Sequence, residues 1–288
     1  MTTDAPGDHP AEYLRAARET LRVERRRTVD EREAFEAFRA RVQRVSTEAT
    51  DGDATRLRSD GAGGVAGGAQ GIGGFRGPAG VGRLSGADDR FVAGNPLVTI
   101  RDAYADTVMS VPHYEVEYDD TYERSLAAEF GPDLAVALTR EPTLDDRSVS
   151  ALLSKTDEAI EERGQLLDAI DTESESIGRA ADRLCSILEE IATLSETELD
   201  ELRFGTLDAY RVRTVTLEEG CDAVAARRQR ELDGIGRSLQ LNESVPDLAT
   251  YLYYDLPATY PVLATVGAVG DRLRDLRRAI EHEMIRCQ

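Results

Sequence analysis

The stretch from Val149 to Ile191, VSALLSKTDEAIEERGQLLDAIDTESESIGRAADRLCSILEEI, decides the fold. Val149, Thr156, Arg163, Ile170, Ile177, Leu184 and Ile191 recur every seven residues, and Leu153, Ile160, Leu167, Ser174, Ala181 and Leu188 form the interleaved series. Two such series are the apolar seam of a helix packed lengthwise on a partner, as in a coiled coil. Arg163 and Ser174 are polar intrusions in it. No proline interrupts the chain from Thr143 to Val245, and a helix carrying the seam would be about 65 Å long at 1.5 Å per residue.

Working outward, Ser195-Glu-Thr-Glu198 has the pattern of a capping box and predicts a tight reversal near Thr193 to Ser195. A second long helix is predicted from Glu196 to Leu239, with its apolar register shifting once around Arg228. Asp247 to Tyr254 reads as a short helix, Leu256-Pro257 as a break, and Thr259 to Ile285 as a helix with Val262, Val266, Val269, Leu273, Leu276, Ile280 and Met284 on one face. On the N-terminal side, Pro96 opens a helix over Leu97 to Val111 that Pro112 stops, and Gly131-Pro132 ends another over Tyr122 to Phe130. Asp133 to Leu138 adds a turn or two, and the alternation in Val111 to Tyr118 is too short for a strand. Ala11 to about Ala49 is a further amphipathic helix, with Leu14, Leu21, Thr28, Phe35 and Val42 at seven-residue intervals and Glu24 and Glu31 breaking the seam. Residues 51–96 are rich in glycine and are expected to be a disordered linker, because they cannot recover their backbone entropy by burial. No GxGxxG or GxxxxGK[ST] pattern supports a phosphate loop there.

The expected fold class is therefore all-α: a long antiparallel, coiled-coil-like hairpin over about 144–240, flanked by N- and C-terminal helices. The expected domains are an N-terminal helix over 1–50, the linker over 51–96 and a helical domain over 97–288 whose last helix is about 259–285.

Composition sets the environment. Acids outnumber bases 55 to 35 for a net charge of −20, and Lys155 is the only lysine. An acid excess with so little lysine fits a protein kept hydrated in a halophilic cytoplasm, where salt screens charge over a few ångströms. No apolar signal core occupies Met1 to Pro10, and the uncharged run Leu256 to Gly270 is too short and too broken to span a membrane. Cys185, Cys221 and Cys287 form no CxxC pair and are expected to be free, buried thiols in a reducing compartment. The acid excess is uneven, since residues 97–245 hold 34 acids and 15 bases while residues 11–45 hold seven acids and ten arginines. Arg22, Arg25, Arg26 and Arg27 make the N-terminal helix a candidate interaction surface, either docked on the acidic hairpin or set against nucleic acid.

Catalytic material is scarce. His113 followed by Glu115, Glu117, Asp119 and Asp120 is the one candidate for metal binding or acid–base chemistry, and the alternative is a histidine in a turn packed under Tyr114 or Tyr118. His9 lies in the polar leader, and His282 sits beside Glu281 and Glu283 near the end of the last helix, where a basic residue suits the helix C-terminus. No GxSxG, HExxH or ExxH pattern occurs. Tyr251, Tyr253, Tyr254 and Tyr260 are expected to pack in the core. No cofactor and no small-molecule substrate is indicated. The function expected is a non-enzymatic scaffold or protein-interaction protein, with a protein partner or self-association. The alternatives are a regulatory or nucleic-acid-associated protein using the basic helix, and a metal or enzymatic site around His113.

Ala103-Tyr-Ala-Asp-Thr-Val-Met-Ser-Val-Pro-His-Tyr114 with Glu129-Phe-Gly-Pro-Asp-Leu134, and Tyr251-Leu-Tyr-Tyr-Asp-Leu256 with Thr259-Tyr-Pro-Val-Leu263, resemble an uncharacterised haloarchaeal family that carries a domain of unknown function. The resemblance covers nearly all the chain except the glycine tract, implies a helical protein of this length, and supplies no activity or ligand.

Overall fold

A computed structural model describes residues 10–59, 95–238 and 248–287, with 49–59 and 235–238 described as backbone only. His9 and most of the predicted linker lie outside the described residues. Among the described residues every regular element is a helix. These are α1 (Pro10–Ser59), α2 (Pro96–Thr107), α3 (Tyr114–Glu117), α4 (Tyr122–Phe130), α5 (Pro132–Arg140), α6 (Asp146–Ser195), α7 (Phe204–Ser238), α8 (Leu248–Leu252) and α9 (Pro261–Arg286), with short 3-10 turns at Val108–Ser110 and Leu199–Glu201. None is long and apolar enough to cross a membrane.

Local chemistry sets most of the ends. Asn95 accepts from the Leu97 N–H at 3.1 Å, which caps α2 ahead of Pro96. Asp145 Oδ1 accepts from the Ser148 N–H at 2.8 Å and caps α6, and hydrogen bonds from the Ser148 side chain and from this N–H hold the Asp145 carboxyl below its ordinary value. Between α4 and α5 the chain turns at Gly131, whose φ of +86° suits a residue without Cβ, and Pro132 then starts α5. The predicted capping box does not form. Ser195 Oγ donates backward to the Ile191 carbonyl at 2.7 Å and so completes α6 rather than opening α7. The reversal consequently runs from Glu196 to Arg203 through the Leu199–Glu201 turn, and α7 begins eight residues later than its predicted start. Helix α1 continues to Ser59, past its predicted end near Ala49.

Two compact units make up the chain, residues 1–29 with 162–288, and residues 30–161. In the first, α6 and α7 form the expected antiparallel hairpin, since Glu190 meets Arg213 near the reversal and Glu173 meets Arg228 farther from it. Helix α9 runs along α7, with Arg277 on Glu218 at 2.7 Å, and returns to the reversal where the Cys287 thiol lies 3.6 Å from the Leu202 carbonyl. Its buried face is Val262, Thr265, Val269, Leu273, Leu276 and Ile280, the three-and-four spacing of an amphipathic helix. The first part of α1 joins α6 on another side, through Arg25 to Asp171 at 2.7 Å and Arg18 to the Gly178 carbonyl at 3.4 Å. Helix α6 is thus covered from two directions, and this explains why its buried face is wider than a two-residue seam. Ile187 is buried as well as Leu184 and Ile191, whereas Ser174 points to solvent.

The second unit is built on aromatic contacts. Phe35 and Phe38 of α1 meet Phe130 of α4, and Tyr104 of α2 meets Phe38, Tyr122 and Phe130, with ring centroids between 5.4 and 6.3 Å apart. Leu97, Ile100, Leu126, Leu138 and Leu152 complete this core. The C-terminal carbonyls of α5 are satisfied by Arg101 of α2, which donates to Leu138 and Glu141.

Candidate functional site

The sequence candidates separate in space. His113 is 9% exposed and sits in the turn before α3. Its Nε2 lies 3.0 Å from Glu31 of α1, and the Tyr118 hydroxyl donates to that same carboxylate at 2.8 Å. The Tyr118 ring lies beside the imidazole, 6.5 Å between centroids. Glu115 and Glu117 are exposed. Among the described residues no group of three or more histidine, cysteine, aspartate or glutamate side chains is arranged to hold a metal. Glu31, which breaks the apolar seam of α1, is there to receive His113 and Tyr118. The other break, Glu24, receives the Tyr251 hydroxyl.

The basic face of α1 is largely spent inside the first unit. Arg25 is bidentate on Asp171, with Nε at 2.7 Å and Nη2 at 3.3 Å, and these bonds raise the arginine's pKa further. Arg22 pairs with Glu19 at 3.1 Å and Arg27 with Glu24 at 4.0 Å, both one turn away on α1. Arg26 is exposed.

The most developed polar arrangement was not anticipated from the sequence. Arg228 of α7 and Glu173 of α6 are 1% and 2% exposed, and they form a two-pronged pair with Nη2 to Oε1 at 2.6 Å and Nη1 to Oε2 at 2.8 Å. Arg228 Nη1 also donates to Ser176 Oγ at 2.8 Å, and Ser176 donates to Glu231 at 2.6 Å. The Tyr253 hydroxyl, fully buried just after α8, donates to Glu173 at 2.6 Å. Burial alone would lower the Arg228 pKa, but the Glu173 bonds and charge hold it above the ordinary value. Burial, joined by the Glu173 charge, pushes the Tyr253 hydroxyl far up. Arg179 at 3.2 Å and Arg227 at 2.9 Å complete the surroundings of Glu231. The sequence signal was the register shift of α7 at Arg228, a charge where an apolar residue was due.

Of the four C-terminal tyrosines only Tyr253 is in the core, while Tyr251, Tyr254 and Tyr260 are exposed. Tyr251 is on the outer side of α8, Tyr254 in the turn after it, and Tyr260 at the N-cap of α9. Of the cysteines only Cys221 is buried, because α7 turns it toward α6 and α9, and burial raises its thiol pKa to about 11. Cys185 and Cys287 are exposed and free, which corrects the expectation of three buried thiols.

Two recesses open on the first unit. One, of about 690 Å³, lies where the start of α1, the end of α6, the reversal and α9 meet, walled by Leu188, Ile191, Leu199 and Leu276 with Ala192 and Ala279. The second, of about 280 Å³, lies between α6 and α7.

The family described as Domain of unknown function (DUF7260) matches residues 12–277. The chain belongs to this family. No curated protein and no solved structure matches it. Membership extends over both units and assigns neither the His113 cluster nor the Arg228 network a role.

Proposed function

We propose that this DUF7260 protein is a non-enzymatic helical scaffold that binds another polypeptide through its helix surfaces. The observation carrying this reading is the larger recess of the first unit, whose walls are aliphatic and whose lining includes only two charges, Arg272 and Asp275. An open, apolar trough between helices suits the side chains of a partner helix, whereas a catalytic pocket brings ionisable groups together. Glu173, Arg228 and His113, the buried acidic, basic and imidazole side chains among the described residues, are each engaged by an internal partner. The basic-helix alternative is weakened by the pairing of Arg25 with Asp171, and the metal alternative by the engagement of His113 with Glu31.

The acid excess supports a salt-rich cytoplasm as the working environment, so the test belongs in concentrated KCl. Ala192 and Ala279 are exposed on the rim of the recess, and arginine there would fill it without disturbing the core. The full-length chain is expected to associate, with itself in sedimentation or with a polypeptide retained from its native lysate. Ala192→Arg with Ala279→Arg should abolish that association with helicity unchanged. A chain that retains nothing and stays monomeric, or a double variant that associates like the parent, overturns the proposal.

A further inference from the structure

In a chain of net charge −20, the smaller recess between α6 and α7 stands apart because it is lined by four arginines, Arg179, Arg183, Arg227 and Arg228, and one acid, Glu231. The geometry points to a binding site for a small phosphorylated molecule in this recess. Arg228 is 1% exposed, held by Glu173 and Ser176 through both Nη atoms, and its buried Nε–H has no acceptor among the described residues. A buried donor without an acceptor costs about 1–3 kcal/mol, and Arg228, held in place by Glu173 and Ser176, adds a fixed guanidinium to the lining of the recess beside Arg179, Arg183 and Arg227. Arg183 supports the same reading from the rim. It has no hydrogen-bonded or ion-paired carboxylate among the described residues, although Glu190 lies close enough to feel its charge.

Glu231 is shared by Ser176, Arg179 and Arg227, Glu175 lies 3.5 Å from Arg179, and Glu173 neutralises the inner face of Arg228. A guanidinium has five N–H donors in a rigid fork, so Arg179 and Arg227 retain donors beyond those given to their carboxylates. The planar forks match a phosphate's oxygens. A volume of about 280 Å³ admits a phosphate group together with further heavy atoms of a small molecule. Gly220 keeps the wall open, since a Cβ there would come within 3.3 Å of Ile187 and 3.4 Å of the Arg183 guanidinium.

Inorganic phosphate is the probe. Titrated into the full-length chain at fixed KCl concentration and followed by ³¹P line width and calorimetry, it should saturate a single site. Arg183→Gln, on the surface and so without effect on folding, should weaken it by about tenfold, equivalent to about 1.4 kcal/mol. Arg272→Gln, at the other recess, should leave the affinity unchanged. No saturable binding overturns the assignment. So does equal binding by all three proteins, which would mean an adventitious ion only. Neither result bears on polypeptide association at the larger recess, so this assignment and the scaffold proposal fail separately.

Discussion

The two units fill their interiors by opposite means. The first has an aliphatic core in which leucine, isoleucine, valine and alanine from α1, α6, α7 and α9 interdigitate, and it buries a complete ion pair, Glu173 with Arg228. The second has an aromatic core in which Phe35, Phe38, Tyr104 and Phe130 supply the bulk, with a neutral bond between Tyr104 and Ser125 at 2.7 Å inside it and the pairing of His113 with Glu31 at its edge. Short helices leave wide, irregular gaps that aromatic rings can fill. Long helices running side by side leave narrow ones, suited to aliphatic side chains. The ion pair in the first unit adds less to stability than its geometry suggests, because desolvation offsets most of the attraction, while a mismatched pair would be strongly unfavourable.

Three measurements sharpen or break this contrast. The largest effect is expected from Arg228→Ala, which strands the Glu173 carboxylate and should cost about 3–5 kcal/mol in denaturant unfolding. Arg228→Met combined with Glu173→Met should recover most of that loss, and a double variant as unstable as the single would show that the pair is a net source of stability. The second is Tyr104→Phe in the other unit, which leaves the ring contacts intact and removes one hydrogen bond. A loss of about 1–2 kcal/mol is expected from the stranded Ser125 hydroxyl, and a larger loss would place a polar constraint where the structure has an aromatic one.

The third measurement is alkaline. In the first unit burial raises the Cys221 thiol from 9.0 to about 11, and in the second burial raises Tyr122 from 10.0 to about 12. Both groups are held neutral in the folded state, so above the unfolded pKa the folded chain binds more protons than the unfolded one. Stability is therefore complete below about pH 9 and declines as pH rises toward 11 and then 12. Thiol labelling at neutral pH should modify Cys185 and Cys287 rapidly and Cys221 only on unfolding; rapid labelling of Cys221 would mean that the α7–α9 packing opens readily.

Much of this architecture was written in local pattern. The seven-residue series fixed α6 as a long helix, Gly131-Pro132 placed the α4–α5 turn, and the face of α9 matches the spacing of its valines and leucines. The misplaced reversal shows the limit of such reading, because Ser195 has two acceptable uses and the carbonyl of Ile191 claimed it. Of the sites, the pairing of His113 with Glu31 spans 82 residues and that of Arg228 with Glu173 spans 55. Neither leaves a spacing signature, since the distance between partners depends on how the helices are staggered.

The amino-acid sequence by itself determined that this is a helical, strongly acidic protein with long amphipathic faces, because helix formation and face polarity follow from residues within a few turns of one another. Only the tertiary structure decided which charges are consumed and which remain available. Glu24 and Glu31 read alike as breaks in a seam, yet one receives Tyr251 and the other His113 and Tyr118. Arg228 and Arg183 came to line one recess because antiparallel packing of α6 on α7 brings together residues far apart in sequence.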